Sequence, residues 1–406
     1  MIRKQIEKIS PPGGIDLEQM MMSYSLMIYP FNKDYEPVVR YQKLLKNSCI
    51  TGLVSPRGWG LEHTQIESGT ESLRVSCNYK EALSNCSAVW FVEDSNLSLP
   101  EPLLKARLEE AIQNGKKIIY TRFRNKEELN RMEQIIPSEL NITRLFMAEK
   151  NIENEIQEHK IPEQKTQEQN IQEQNIQEQN VCYDINTPVI IVLGAYPDTD
   201  KYEIQIGLRN ELLNKGYQVS SVSSRQDSSI LGMHPFPEFM TVNMISETHK
   251  IIRYNHYIKQ IELTENPEVI IIGVPGGAIP FDKYNHNNFG ILPYEISRAV
   301  NCDCGIMALP YFSLPDDNFD KISRELYDRF RISIDYFHIS AITEDITQSQ
   351  DSSVKSFITL DRKFIRKKIG TYGKDNVYDL TDRTTISEVT DKIIDQLSEN
   401  CSDSSL

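Results

Sequence analysis

The sequence predicts an α/β protein of two doubly wound, mainly parallel-sheet domains joined by a low-complexity linker, and three observations carry that reading. Apolar runs of strand length alternate with stretches of helical spacing, and parallel neighbours in a sheet need such crossover helices. A chain of 406 residues exceeds one ordinary core and suits two, at roughly 150 to 200 residues each. Between Glu153 and Val181 the alternation stops: the pentads TQEQN, IQEQN and IQEQN follow no helix or strand period.

In chain order, residues 1–22 read as an N-terminal extension, because Met20, Met21 and Met22 stand immediately before the first strand. In residues 23–150, strands are expected at 24–30 (YSLMIYP), 49–56 (CITGLVSP), 87–94 (SAVWFVED) and 116–121 (KKIIYT), with helices at 36–46 and 101–115. Both helices have proline in the first turn and the second ends in glycine, the polarity that caps prefer. This half therefore reads as a Rossmann-like or flavodoxin-like domain. Residues 151–184, rich in Gln, Glu and Asn, are expected to form a disordered tether, since so few apolar side chains cannot offset chain entropy.

Residues 185–400 repeat the rhythm more strongly. Strands are expected at 188–194, 217–223, 268–274, 304–310 and 334–341, and helices near 202–215, 246–265, 288–300 and 316–331. In the last helix Phe319, Ile322, Leu326 and Phe330 recur at the spacing of a core-facing stripe. The tail predicts a further strand and closing helices.

Charge and composition bound the function. With 58 acidic against 44 basic residues the net charge is −14, which disfavours nucleic acid, whose affinity comes from Lys and Arg displacing counterions. No run approaches the roughly 18 apolar residues of a membrane span, so no membrane partner is expected. Seven scattered cysteines do not form a disulfide framework, and the expected location is cytoplasmic.

One loop bears most of the functional question. GAYPDTDKYEIQ, from Gly194 to Gln205, follows an apolar strand and precedes a helix, the position at which phosphate loops place backbone N–H groups around an anion. Five residues separate Gly194 from Asp200, Lys201 and Tyr202, a spacing that resembles the dethiobiotin-synthetase branch of the phosphate-loop superfamily. On that register Lys201 holds the lysine position, Asp200 replaces glycine and Tyr202 replaces the magnesium-binding hydroxyl residue. A carboxylate at Asp200 is expected to repel a bare triphosphate by several kcal/mol in a low-dielectric pocket. Three readings stay open: a capped turn with Asp200 as N-cap supported by Glu203, an altered anion or metal site involving Asp198 and Asp200, or a working NTPase.

Ligands of open parallel sheets bind outside the carboxyl ends of the strands. That rule brings Arg225, His234, Gly276, Gly277 and Asp282 toward Lys201 as candidate ligand-binding residues. Gly276 and Gly277 equally suit a tight turn, and His234 equally suits a packed core. On the helix 246–265, His249, Arg253 and His256 share a polar face suited to solvent, a domain contact or, less simply, a metal. Cys302 and Cys304 form a lone CxC without a second ligand pair, and no metal is assigned. In the first half SPRGWG places Arg57 and Trp59 at a carboxyl-end crevice beside Tyr29 and Pro30, a pairing suited to peptides or anions. No Ser-His-Asp, Cys-His, HExxH or intact GxGxxG pattern is present.

YPFNKDYEPVVRY and LVSPRGWGL early, then DTDKYEIQIGLRNELLNKGYQVSSVSSR, ENPEVIIIGVPGGAIPF and NFGILPYEISRAV, together resemble a family of peptide maturation system proteins. The resemblance implies a place in ribosomal natural-product biosynthesis, with a short Cys-rich precursor peptide and a radical-SAM enzyme as partners. It implies no catalytic residue set and no cofactor. The function expected is an accessory protein that binds a short peptide, and an anionic ligand or metal at an altered phosphate-loop pocket. A nucleotide-dependent enzyme of the same pathway and a non-enzymatic scaffold are the alternatives.

Overall fold

A computed structural model describes residues 23–45, 48–69, 71–93, 99–122, 131–132, 134–143, 181–280, 286–311, 317–345 and 356–403. The N-terminal extension, nearly all of the tether and Asp282 lie outside the described residues. The chain divides into two compact units, residues 1–149 with 229–232 and residues 150–228 with 233–406. Each carries a six-stranded, mainly parallel sheet with helices packed on it. No helix among the described residues is long and apolar enough to cross a membrane.

In the first unit the strands β1 (Tyr24–Tyr29), β2 (Ser48–Val54), β3 (Gln65–Ser68), β4 (Glu71–Ser76), β5 (Ala88–Phe91) and β6 (Lys117–Tyr120) lie in the order β3-β4-β2-β1-β5-β6. β3 is the antiparallel member, paired with β4 as a hairpin. The helix expected at 36–46 is shorter than its apolar pattern: α1 (Glu36–Arg40) gives way to a 3₁₀ turn at Gln42–Leu44. Helices α2 (Tyr79–Ser84) and α3 (Glu101–Gln113) complete the connections. Tyr29, Val89, Phe91 and Ile118 form the core with Tyr79 and Leu108, and the Trp90 indole N–H donates to Thr121 Oγ1 at 2.9 Å.

The second unit has the order β14-β11-β10-β7-β9-β8, from β7 (Val189–Gly194), β8 (Val219–Val222), β9 (Val269–Gly273), β10 (Cys304–Pro310), β11 (Tyr336–Ser340) and β14 (Val377–Tyr378). A separate antiparallel pair joins β12 (Ile342–Glu344) to β13 (Phe357–Thr359). β7 is buried on both faces, as a central parallel strand must be. Ile190 and Val192 pack against α4 (Lys201–Asn214) and α9 (Arg383–Asp403), through Ile204, Leu208, Ile386 and Val389. Val189, Ile191 and Leu193 face the opposite core, where α5 (Glu247–Glu265), α6 (Ile291–Ala299) and α7 (Asp317–Phe330) pack with Tyr254, Ile258, Ile296, Phe319 and Leu326. The remaining helix, α8 (Arg362–Ile369), sends Ile365 into that same core.

This order makes β7 the point of reversal. The chain leaves β7 for α4 on one face and travels outward to β8, whereas it leaves β9 and β10 for α6 and α7 on the other face. In open parallel sheets such a reversal is where ligands bind, outside the carboxyl ends of the strands, and here it falls at the residues after Gly194.

Candidate functional site

Close packing sets the shape of the loop after β7. A Cβ on Gly194 would lie 2.2 Å from Thr199 Oγ1 and 2.6 Å from the Lys201 side chain, so only glycine lets the loop fold back over the strand end. The Thr199 hydroxyl then closes the loop by donating to the Tyr196 carbonyl at 2.9 Å. Asp200 carries a φ of 57°, the left-handed conformation that a glycine would adopt and that Asp tolerates better than most residues.

Lys201 begins α4 and is buried, with 4% of its surface exposed. Its ammonium donates to the carbonyls of Tyr196, at 3.3 Å, and of Gly276. Burial pulls the group down to about 7, against an upward pull from Asp198. Gly276 supplies that second carbonyl from the loop after β9, and Gly277 closes the contact: a Cβ there would meet the Ala195 carbonyl at 2.4 Å and the Asn287 amide at 1.8 Å. Asn287 Nδ2 donates to Ala195 O at 3.1 Å and to Ile279 O at 3.0 Å, so one side chain ties the loops after β7 and β9 together.

The capped-turn reading of Asp200 is corrected. Asp200 does occupy the N-cap position, but its side chain makes no capping hydrogen bond, because its left-handed backbone aims the carboxylate elsewhere. Oδ2 lies 3.2 Å from His338 Nε2, and Oδ1 lies 3.7 Å from the Arg362 guanidinium. His338 is fully buried on β11, and its Nδ1 accepts the Leu380 N–H at 3.0 Å. That bond leaves the proton of a neutral imidazole on Nε2, facing Asp200. Burial pushes the Asp200 carboxyl up, but the His338 hydrogen bond and the Arg362 charge outweigh it and hold the group at about 2. The repulsion expected between Asp200 and a phosphate is thereby offset by two donors.

Glu203 turns toward Arg362. It is buried in the first turn with Oε2 at 3.5 Å from Arg362, which also approaches Asp379 and Thr381. His338, Arg362 and Asp379 were not singled out by sequence, and no local pattern marks them. His338 stands 138 residues from Asp200, and Arg362 stands 159 residues from Glu203.

Arg225 comes close by a different route. It forks onto Asp227 at 3.0 and 2.7 Å and lies 4.5 Å above the Tyr202 ring. Gln205 binds the same loop, accepting the Ser224 N–H and donating to its hydroxyl, both at 3.1 Å. Tyr202, at the hydroxyl position of a phosphate loop, is thus packed beneath a guanidinium.

The remaining candidates have other partners. His234 is fully buried, its backbone bonds Ser221 and Ser223, and its Nε2 lies 2.9 Å from Glu265. The polar face of α5 is not a shared site: His249 bonds Ser246, Arg253 stacks on Phe239, and His256 bonds the carbonyl of Val181. Other residues of α5 clasp the chain before β7. Asn255 exchanges hydrogen bonds of 2.7 and 2.8 Å with the Tyr183 backbone, and Glu262 accepts the N–H groups of Asn186 and Thr187, each at 2.7 Å. Among the described residues no cluster of three or more His, Cys, Asp or Glu side chains is arranged to hold a metal ion. In the first unit Trp59 is half-buried against the core, while Arg57 is exposed beside Cys77 and Glu62, which are 2.7 Å apart.

No family model and no curated protein matches the sequence. Among solved structures, a DUF1611 family protein from Anabaena variabilis aligns over 93% of this chain and 100% of its own, with a TM-score of 0.55 at 10% identity. That likeness shows a shared fold. The signal recognition particle receptor FtsY of Elizabethkingia anophelis aligns over 59% of this chain and 66% of its own, with 14% identity and a TM-score of 0.24. The 54 kDa signal recognition particle protein of Aeropyrum pernix, in complex with GDP, aligns over 60% of this chain and 54% of its own, with 14% identity and a TM-score of 0.24.

Proposed function

We propose that the second domain binds a phosphorylated ligand at the loop from Gly194 to Lys201, and that the chain serves as an accessory protein in the maturation of a ribosomally made peptide. One observation carries the first part. The Lys201 ammonium lies buried at the start of α4 with backbone carbonyls as hydrogen-bond partners, and these together with the charge of Asp198 offset its lost hydration only in part. A phosphate entering there gains that cation together with the first N–H groups of α4, to which the N-cap side chain of Asp200 makes no hydrogen bond. The peptide context rests on the sequence resemblance, and the ligand-binding residues proposed are Lys201, Gly276, Gly277 and, at the margin, Asp198 and Arg225.

A nucleotide-dependent enzyme is the second reading, favoured by the compensation of Asp200 by His338 and Arg362. The residues present do not fit a magnesium ion held in the phosphate-loop manner. Tyr202 stands where a short hydroxyl side chain is needed and is packed under Arg225, so no metal-assisted step is derived.

Calorimetric titration with inorganic phosphate, ATP and GTP, each with and without magnesium, and with a Cys-rich precursor peptide separates the readings. The proposal expects phosphate-dependent heat that Lys201→Met abolishes, and peptide heat that survives it. Peptide binding with no phosphate or nucleotide response would leave only a scaffold.

A further inference from the structure

We propose that the outer face of α8 is a docking surface for an acidic peptide segment carrying at least one apolar side chain. The proposal rests on the peptide-handling part of the reading above and names the chemistry of the segment recognised.

In eight residues α8 holds Arg362, Lys363, Arg366, Lys367 and Lys368, within a chain of net charge −14. The cations divide by face. Arg362 points to Asp200, Glu203 and Asp379, and Arg366 pairs with Asp379 at 2.8 Å and Asp382 at 3.0 Å. Lys363 and Lys367 are exposed, and among the described residues neither has a carboxylate within ion-pair distance. Lys368 lies 5.6 Å over the ring of Phe364. Phe364 is 42% exposed on the same helix and meets Tyr311 edge-on with 5.4 Å between ring centroids.

This face is therefore a half-open aromatic ring set among lysines that, among the described residues, have no carboxylate within ion-pair distance. On a strongly anionic protein a basic island is where an acidic partner is steered, because the rest of the surface repels it. A short segment fits better than a nucleic acid, whose extended phosphate chain would run on over the anionic surface. One aromatic side chain also gives little insertion into a membrane. Burial of an aliphatic or aromatic side chain against Phe364 supplies the anchor, and Lys363 and Lys367 select for carboxylates. A segment seated there lies one helical face from Arg362, and hence from Asp200 and Glu203 at the start of α4.

The test is fluorescence anisotropy on the full-length protein with two dye-labelled peptides of equal length. One alternates Glu or Asp with Leu, and the other replaces each acid by Gln or Asn. The acidic peptide is expected to bind and to weaken about tenfold between about 0.05 and about 0.3 M salt, while the neutral one does not bind. Lys363→Glu combined with Lys367→Glu should lose about tenfold or more, and Phe364→Ser about threefold to tenfold, with circular dichroism unchanged. Lys201→Met should keep acidic-peptide binding while losing phosphate heat, so failure here and failure of the phosphate reading are told apart. The proposal is overturned by equal binding of the neutral peptide or by no binding of the acidic one. Indifference to the charge reversals, or tighter binding of a duplex oligonucleotide or anionic vesicles that the same variants abolish, would overturn it as well.

Discussion

His338 donates its Nε2–H to Asp200 Oδ2 across 3.2 Å because its other ring nitrogen already accepts the N–H of Leu380. The relationship joins the middle of β11 to the N-cap of α4 past the intervening β10, and it gives a buried donor to a carboxylate that stands beside a candidate anion site.

The first prediction concerns acid stability. The folded Asp200 carboxyl is held at about 2, below its ordinary value of 3.8, so it contributes stability that is full above about pH 4 and is lost as pH falls toward about 2. His338→Ala should cost about 2 kcal/mol at neutral pH and flatten that acid limb, measured by urea unfolding between about pH 3 and about pH 7. An acid limb unchanged in the variant would refute the assignment.

Lys201 predicts a slope of the same sign in a higher pH window. Its folded value of about 7 lies below the ordinary 10.5, so the unfolded chain holds more protons between them and stability should rise with pH across that range. Lys201→Met should remove the rise. Saturating phosphate, by stabilising the ammonium, should diminish it in the native chain, which parallel thermal melts with and without phosphate would record.

Glu295 on α6 gives a third pH effect. Burial first, then the neighbouring Glu247, pushes the carboxyl up to about 8, so the folded state keeps a proton that the unfolded state has released above about 4.5. Stability from this group should fall as pH rises from about 4.5 to about 8. Glu295→Gln should abolish that fall and raise the unfolding midpoint at pH about 8, by at least about 1 kcal/mol of stability. Lys250, 3.8 Å from Glu295 and 3.1 Å from Glu247, limits the effect, and Lys250→Met should enlarge it.

Adjacent glycines should behave differently. Gly276 has φ of 70° with open space around its missing Cβ, so Gly276→Ala should cost about 1 kcal/mol in backbone strain. At Gly277 the added carbon would strike the Ala195 carbonyl at 2.4 Å, and Gly277→Ala should cost about 1 to 3 kcal/mol and loosen the loop beneath Lys201. Chemical denaturation of the two variants should rank them in that order, with phosphate heat falling most in Gly277→Ala.

Much of the fold was legible because central parallel strands are apolar on both faces. The expected strand at 188–194 is β7 (Val189–Gly194), and the expected helix at 246–265 is α5 (Glu247–Glu265). The hairpin β3–β4 escaped notice because ESLRVS is mostly solvent-facing and alternates only weakly. The nearness of the Gly276–Gly277 loop to Lys201 was legible, since the strand-end rule gathers loops without knowing their partners. His338 and Arg362 were not, because nothing near either residue distinguishes a buried histidine or a helix-borne arginine from many others. Only the strand order brings them to Asp200.

The clasp of Asn255 and Glu262 on the backbone of Tyr183, Asn186 and Thr187 has a practical side. An excised C-terminal fragment whose first residue is Pro188 would strip a helix of the strap it was shaped to grip, baring an amide and a carboxylate that are otherwise satisfied. Expression boundaries are better drawn upstream of Val181, whose carbonyl His256 already holds.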